Sequence, residues 1–155
     1  IQGPLDFVAL PPVNPGFDCI VCGDALERLR NPEAFLPQLM ARLVPGGLFL
    51  AVVPNMQYHK IVCALAEGRW VYGERGVWGR DNLRFFTALE LAWLMNLTGA
   101  ASCKIGSHVA DPPEEFPRDG DGYARAGRLK IGPIEDGAYP AWLTEYYLLL
   151  AVKAL

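Results

Sequence analysis

The sequence lacks several features that identify common classes of protein. Its 155 residues carry a formal net charge of -3, so the basic stripe of a nucleic-acid-binding protein is missing and we expect no nucleic-acid partner. No apolar run approaches the roughly 20 residues of a membrane-spanning helix. No charged-then-apolar leader opens the chain, so we expect a cytoplasmic protein. The chain begins at Ile1 rather than Met, which indicates a fragment, a processed chain or an engineered chain.

The sequence also offers little support for a metal site. Cys19 and Cys22 form a C-x-x-C pair, a pattern found in zinc and thiol redox proteins. No second pair follows, and residues three apart in a strand point to opposite faces. Buried free thiols are therefore the favoured interpretation, and a zinc or redox protein is our third hypothesis. The segment RDGDG at 118–122 fails as a calcium loop, because the fifth loop position is Tyr123 and the twelfth is Lys130.

The sequence does contain the pattern of a single α/β domain. Hydrophobic residues make up 52% and charged residues 20%, a globular composition. Residues 17–22 form a near-continuous apolar run, typical of a parallel strand that is buried on both faces. Asn-Pro at 31–32 predicts the start of a helix, and Pro-Gly-Gly at 45–47 predicts its end before a second strand at 48–53. A strand, a helix and a strand with short connections predict a right-handed crossover of a parallel sheet.

Weaker patterns organise the rest of the chain. The predicted elements are a helix at about 57–66, a helix from the capping box Thr87–Glu90 to Gly99, a strand at 101–109 and a last strand at 145–153. Residues 111–141 are rich in Pro, Gly and Asp and predict a loop-rich excursion with one short strand near 129–131. Residues 1–16 are expected to form an extended N-terminal segment of the same domain, so one domain spans 1–155.

Three strings in the chain match a known family in their order and spacing. They are FDCIVCGDALERL, LVPGGLFLAVVPN and DNLRFFT. The chain resembles the C-terminal part of class I S-adenosylmethionine-dependent methyltransferases. Within that family it is similar to the small bacterial type 11/12-like group, which modifies sugars, lipids or the cell envelope and is sometimes fused to glycosyltransferases. The resemblance implies a partial Rossmann-like sheet with parallel strands and an antiparallel C-terminal strand, flanked by helices.

The sequence departs from that family in its cofactor-binding half. The first strands and the glycine-rich turn of the family have no counterpart here. Gly3 is followed by Pro4 where the family commonly has a Gly-Asp pair, unless Asp6 replaces the acidic residue. Arg28 stands where the family often has His. The resemblance therefore implies that the isolated chain is inactive, and that the apolar strand 17–22 pairs with a second copy, as a homodimer, or with the N-terminal segment.

The resemblance also implies where the cofactor S-adenosylmethionine binds. The backbone of Cys22, Gly23, Asp24 and Ala25 would line the methionine end of the cofactor. Glu27 would lie near the methyl donor as a catalytic carboxylate. The alternative is structural: Asp24 caps a turn, and Glu27 pairs with a neighbouring arginine.

Two polar residues after the second predicted strand are further candidates. His59 stands at the opening of a helix, which suits a general base, although a surface histidine is the alternative. Asn55 is a candidate for substrate binding or for capping the helix. The sequence alone does not decide between the two interpretations of His59 or of Asn55.

The arginine-rich loop 69–86 supplies the remaining candidates. Arg80, Asp81 and Arg84 could grip an anionic or sugar acceptor between aromatic walls formed by Trp70, Tyr72 and Trp78. Alternatively, Asp81 and Arg84 form a structural ion pair and the aromatic side chains cover the sheet. We weigh these two interpretations equally.

Two functions from different classes follow. The first is the C-terminal portion of a methyltransferase that acts on a small-molecule, sugar or cell-envelope acceptor. The alternative is a non-catalytic methyltransferase-like interaction module, or a domain attached to a glycosyltransferase.

Overall fold

The computed structural model describes residues 13–155, and these form ten regular elements. In chain order they are β1 (Phe17–Gly23), α1 (Pro32–Ala41), β2 (Leu43–Pro54), α2 (His59–Ala66), α3 (Ala88–Asn96), β3 (Ser102–Val109), β4 (Ala124–Ala126), β5 (Leu129–Ile131), α4 (Tyr139–Leu143) and β6 (Thr144–Val152). Short 3-10 turns lie at Leu26–Arg28 and Pro113–Glu115. Gly3, Pro4 and Asp6 lie outside the described residues. None of the helices in 13–155 has the length and apolar character that crossing a bilayer requires.

Four strands form the main sheet in the order β1-β2-β6-β3. β1 pairs with β2 in parallel, whereas β6 is antiparallel to both β2 and β3. The predicted α/β class, the parallel crossover and the antiparallel C-terminal strand are therefore confirmed. β4 and β5 form a separate two-stranded hairpin.

The helix after β1 begins where the sequence predicts and ends earlier. The Asn31 side chain accepts a hydrogen bond from the Ala34 amide at 3.0 Å, and proline occupies the first turn, as a helix start favours. The helix ends at Ala41, and the Pro-Gly-Gly segment at 45–47 already belongs to β2. That segment is held in the sheet because the Gly46 amide donates to the Lys153 carbonyl.

The main core lies on one face of this sheet. Alternate residues of the two central strands, such as Phe49 and Leu149, point to this face and are buried. α1 contributes Leu36 and α3 contributes Leu91 and Leu94 to the same cluster. The helices bury their apolar stripes there, as the 3.6-residue period of the sequence predicts.

The opposite face of the sheet is uncovered by any described element. It consists of the alternating residues that point away from the core, among them Val21, Leu50 and Leu148, and it forms an apolar groove of about 490 Å³. Val21 is 69% exposed. The prediction that 17–22 is buried on both faces is therefore wrong within residues 13–155, because an apolar run does not reveal which of its faces is covered.

The loop-rich excursion at 111–141 forms a second, smaller core. Phe116, Ala126 and Leu143 are buried together and pack against Val62 and Cys63 of α2. The short strand at 129–131 is confirmed as β5. Its partner β4 and the helix α4 were not predicted, because three to five residues carry too little periodicity.

Candidate functional site

The carboxyl end of β1 presents an open stretch of backbone. A side chain added at Gly23 would meet no atom within 4 Å. Asp24 follows with φ at 48°, in the left-handed region that aspartate tolerates better than most residues. A ligand can therefore approach the main chain closely at 23–24.

The Asp24 carboxylate is available to such a ligand. Within residues 13–155 it makes no hydrogen bond or ion pair, and the 3-10 turn at Leu26–Arg28 has Ala25 as its N-cap residue, without a side-chain cap. The capping role that was the alternative for Asp24 is thus not observed. An unpaired carboxylate beside open backbone suits a cationic group, because it can accept charge-assisted hydrogen bonds from it.

Cys22 lies at the same strand end but has the properties of an inert thiol. Burial, with a smaller contribution from the Glu27 carboxylate, raises the pKa of Cys22 to about 11, so the thiol stays protonated at neutral pH. All four cysteines are free, as predicted, but the prediction that the thiols of the C-x-x-C pair are buried is wrong, because Cys19 is exposed and Cys22 is only partly buried. Residues 13–155 contain no group of three metal-ligating side chains, and neither finding favours zinc or redox chemistry.

Glu27 is buried and only partly satisfied. It is 3% exposed, and its Oε2 atom has no hydrogen-bond partner within 13–155. Burial raises the pKa of Glu27, and the negative charge of Asp24 adds to the shift. Its main-chain carbonyl accepts from the amides of Leu83 and Arg84 at 2.7 and 2.9 Å, so the residue also anchors the arginine-rich loop. The ion pair proposed as its alternative is not observed.

Replacing Glu27 with glutamine should stabilise the fold increasingly as pH rises. The folded-state pKa lies above the ordinary value, so ionising the buried carboxyl costs stability as pH rises through that range. Glutamine has no such charge. Urea unfolding at pH 4 and pH 8 measures the effect, with the exposed Glu74→Gln as control. A difference from wild type that does not grow with pH would contradict the buried environment of Glu27.

His59 belongs to a buried network around Asp111. The His59 Nε2 atom lies 2.8 Å from Asp111 Oδ2, which also accepts a hydrogen bond from the Tyr58 hydroxyl. The ammonium of Lys60 donates to Asp111 Oδ1 at 2.7 Å. The His59 ring is buried and stacks on Phe116, with centroids 4.9 Å apart. The surface histidine expected as the alternative is not observed, and the general-base role stays a prediction.

Asn55 is fully buried at the end of β2. Its Nδ2 donates to the carbonyls of Ala141 and Thr144 at 2.8 and 2.7 Å, and its Oδ1 accepts from the Gln57 amide at 2.9 Å. The side chain therefore joins β2 to the start of β6. Its polar atoms are already engaged within the fold, and substrate binding by Asn55 stays a prediction.

The three candidates of the arginine-rich loop are all exposed. Arg84 donates to the Arg30 carbonyl, and no ion pair joins it to Asp81. Arg80 and Asp81 make no side-chain hydrogen bond within the described chain. The structure therefore brings Glu27 and Arg84 together through the backbone.

The sequence did not predict a cavity that lies at the carboxyl end of β2. It measures about 500 Å³, and its lining includes Arg75, Trp78, Glu145 and Tyr146. Tyr146 pairs with Pro54 at the carboxyl end of β2, on the sheet face to which Gly23 also belongs. Burial raises the pKa of Tyr146, and the charges of Glu145, Asp24 and Glu27 add to the shift. Tyr146 therefore lines the cavity and is influenced by the charges at the end of β1.

Comparisons with known proteins agree with this geometry. A family model described as a methyltransferase domain matches residues 6–102. A SAM-dependent methyltransferase of Thermotoga maritima superposes with a TM-score of 0.57 at 16% identity, covering 99% of this chain and 62% of that protein. A SAM-dependent methyltransferase of Archaeoglobus fulgidus superposes with a TM-score of 0.54 at 10% identity, covering 89% of this chain and 60% of that protein.

These two structures share the fold, and the chain spans about three-fifths of the length of each. A comparison with curated protein sequences gave no significant match. The family model covers more than half of the chain, including β1, β2 and the strand end with its open backbone. The chain belongs to the methyltransferase domain family.

Proposed function

We propose that the intact protein transfers a methyl group from S-adenosylmethionine to a small-molecule or carbohydrate-like acceptor. The observation that carries this proposal is the open backbone at Gly23 beside the unpaired carboxylate of Asp24, in a chain of the methyltransferase family. The cofactor, when bound, supplies an electrophilic methyl group. The methionine end of the cofactor would be held by Cys22, Gly23, Asp24 and Ala25. There the Asp24 carboxylate would face the cationic groups of the cofactor.

The roles of the other candidates follow from their contacts. Glu27 is proposed to act at this site as a buried carboxyl that orients the arginine-rich loop and adds negative charge near Tyr146. Methyl transfer is an in-line displacement, so positioning contributes more than any single acid or base. A cytoplasmic location and an association with a glycosyltransferase domain stay predictions.

Calorimetric titration with S-adenosylmethionine and its demethylated product tests the donor site. Asp24→Ala should weaken binding at least about tenfold, because it removes a charge-assisted contact worth roughly 1.5–3 kcal/mol. Asp18→Ala is the matched control, since Asp18 is an exposed aspartate of the same strand. Equal affinities for Asp24→Ala and wild type would contradict the proposal, whereas no heat from the wild-type chain at millimolar ligand would mean that the missing first strands and glycine-rich turn are required for binding.

A second candidate function is an interaction module, and the uncovered apolar face favours it. Soluble monomers rarely expose a contiguous apolar patch of this kind, and within residues 13–155 β1 leaves one edge unpaired. The proposed partner is a second copy of the chain, which would cover Val21 and its neighbours on the groove. Val21 does not line the cavity to which Tyr146 belongs.

Sedimentation velocity is expected to show a dimer that dissociates when Val21 is replaced by lysine. A charge placed in an apolar interface must be desolvated without a partner. Val71→Lys is the matched control, because Val71 is 67% exposed in the arginine-rich loop and Val21 is 69% exposed on the groove. A wild-type monomer across the micromolar range would contradict the dimer.

A further inference from the structure

The cavity of about 500 Å³ at the carboxyl end of β2 has a volume typical of small-molecule sites. Its lining comes from the start of α2, the arginine-rich loop, the segment after β3 and the start of β6. The side chains of Tyr58, Ile61, Val77 and Tyr146 contribute apolar surface. Charged groups complete the lining, and they decide what kind of molecule the cavity can hold.

The lining carries two positive and two negative side chains. Lys60 and Asp111 form an ion pair, with Nζ 2.7 Å from Oδ1, so these two charges already compensate each other. Arg75 and Glu145 are the other two. In the described part of the chain neither side chain makes a hydrogen bond or an ion pair, with each other or with any other residue. The cavity therefore offers one unpaired guanidinium and one unpaired carboxylate.

The two unpaired charges act on the same group. Burial is the largest cause of the raised pKa of Tyr146; the charge of Glu145 adds to the rise, and the charge of Arg75 opposes it. Gly76, which follows Arg75, also lies close, because a side chain added there would stand 3.3 Å from the Tyr146 hydroxyl oxygen. One molecule at Tyr146 can therefore reach Arg75 and Glu145 together.

A ligand with a single charge would suit only one of these two groups. A carboxylate would pair with Arg75 and be opposed by Glu145, and an amine would pair with Glu145 and be opposed by Arg75. A neutral molecule could hydrogen bond to both groups, but it would neutralise neither charge. A molecule that carries both an ammonium and a carboxylate group would compensate both charges at once.

The charges around Tyr146 also favour one orientation of such a molecule. The negative charge of Asp24 reaches the Tyr146 hydroxyl, in addition to that of Glu145. An ammonium group is attracted to carboxylates and to aromatic faces alike. The ammonium end is therefore favoured beside Tyr146 and Glu145, and the carboxylate end beside Arg75.

We propose that this cavity binds a zwitterion of the amino acid type, with its ammonium group on Glu145 and its carboxylate group on Arg75. Binding in the cavity does not depend on methyl transfer. Only the role of the zwitterion as the methyl acceptor rests on the proposed function. Arg80 and Asp81, which the sequence analysis considered for the acceptor, do not line the cavity.

Titration of the nitrogen-15-labelled chain with four matched ligands tests the need for both charges. Phenylalanine carries both charges, phenethylamine only the ammonium, hydrocinnamate only the carboxylate, and N-acetylphenylalaninamide neither. Phenylalanine should move the amide signals of Gly76 and Tyr146. It should bind at least about tenfold more tightly than each of the other three, because each of them lacks at least one charge-assisted contact.

Two variants assign the ligand charges to their residues. Arg75→Gln should remove the preference for phenylalanine over phenethylamine, and Glu145→Gln should remove the preference over hydrocinnamate. Arg80→Gln and Glu74→Gln are the matched controls, because both residues are exposed in the same loop and neither lines the cavity. Both controls should keep both preferences. The backbone spectrum of each variant reports whether it is folded.

Three outcomes would overturn the proposal. In the first, any of the other three ligands binds as tightly as phenylalanine. In the second, the preferences survive in Arg75→Gln and Glu145→Gln. In the third, phenylalanine moves no signal of Gly76 or Tyr146 up to its solubility limit, or it moves those of 22–25 instead. Calorimetry with the cofactor and Asp24→Ala measures the donor site separately, so a failure of this proposal and a failure of the proposed function are distinguishable.

Discussion

Replacing Asp111 with alanine is expected to lower the free energy of unfolding by about 3 kcal/mol, the lower end of what removing one partner of a buried charge pair costs. Asp111 is 8% exposed and joins the start of α2 to the loop after β3 through Tyr58, His59 and Lys60. The smaller cost applies because the side chain of Lys60 is half exposed, so water would solvate its charge once Asp111 is removed.

The same network determines how the free energy of unfolding changes as pH falls. Burial alone would raise the pKa of Asp111, but hydrogen bonds from Lys60, Tyr58 and His59 together lower it to about 2. The unfolded-state value is about 3.9. The contribution of this carboxylate to stability is therefore complete above about pH 4 and is lost as pH falls through about 2. Asp111→Ala should lose this part of the acid dependence.

Urea unfolding at neutral pH measures the loss. Asp136→Ala is the matched control: its carboxylate also pairs with a cation, Arg118, but its side chain is 96% exposed, so a change of at most about 1 kcal/mol is expected. Equal effects for the two variants would contradict the role of Asp111 as the connection between α2 and the loop after β3.

Replacing Asn55 with alanine is expected to cost about 2–4 kcal/mol. The variant would leave the carbonyls of Ala141 and Thr144 and the amide of Gln57 without their partner in a buried region. The start of β6 would lose its connection to the end of β2, and Glu145 and Tyr146 follow directly in sequence.

Asn96→Ala is the control for this variant, because Asn96 is exposed at the end of α3 and a change within about 0.5 kcal/mol is expected. Guanidinium unfolding monitored by circular dichroism gives both values. If Asn55→Ala retained full stability, the role of this side chain as the connection between β2 and β6 would be contradicted.

The elements with strong periodicity or capping residues were predictable from the sequence. Asn31 and Thr87 start α1 and α3 as expected, because a cap is a local interaction between neighbouring residues. β1 and β6 were predictable from runs of β-forming residues. The uncovered face was not predictable, since an apolar strand reads the same whether its second face is covered by the chain or by a partner.

The site was predictable only where it follows a strand end. Asp24 and Glu27 were singled out because they come directly after β1. Asp111 is 52 residues from His59, and Arg75 is 70 residues from Glu145, so packing of distant segments decides those neighbours. A single sequence contains no local pattern for contacts of that separation, which is why the cavity was missed, although Trp78 of its lining was already a candidate.

The central claim is that the carboxyl end of β1 is the methyl-donor site. Chemical-shift mapping on the nitrogen-15-labelled chain, titrated with the demethylated cofactor, tests it most directly. The account predicts the largest amide changes at residues 22–25, with smaller changes at Tyr146. Changes centred on the apolar groove around Leu50 and Leu148 would contradict it.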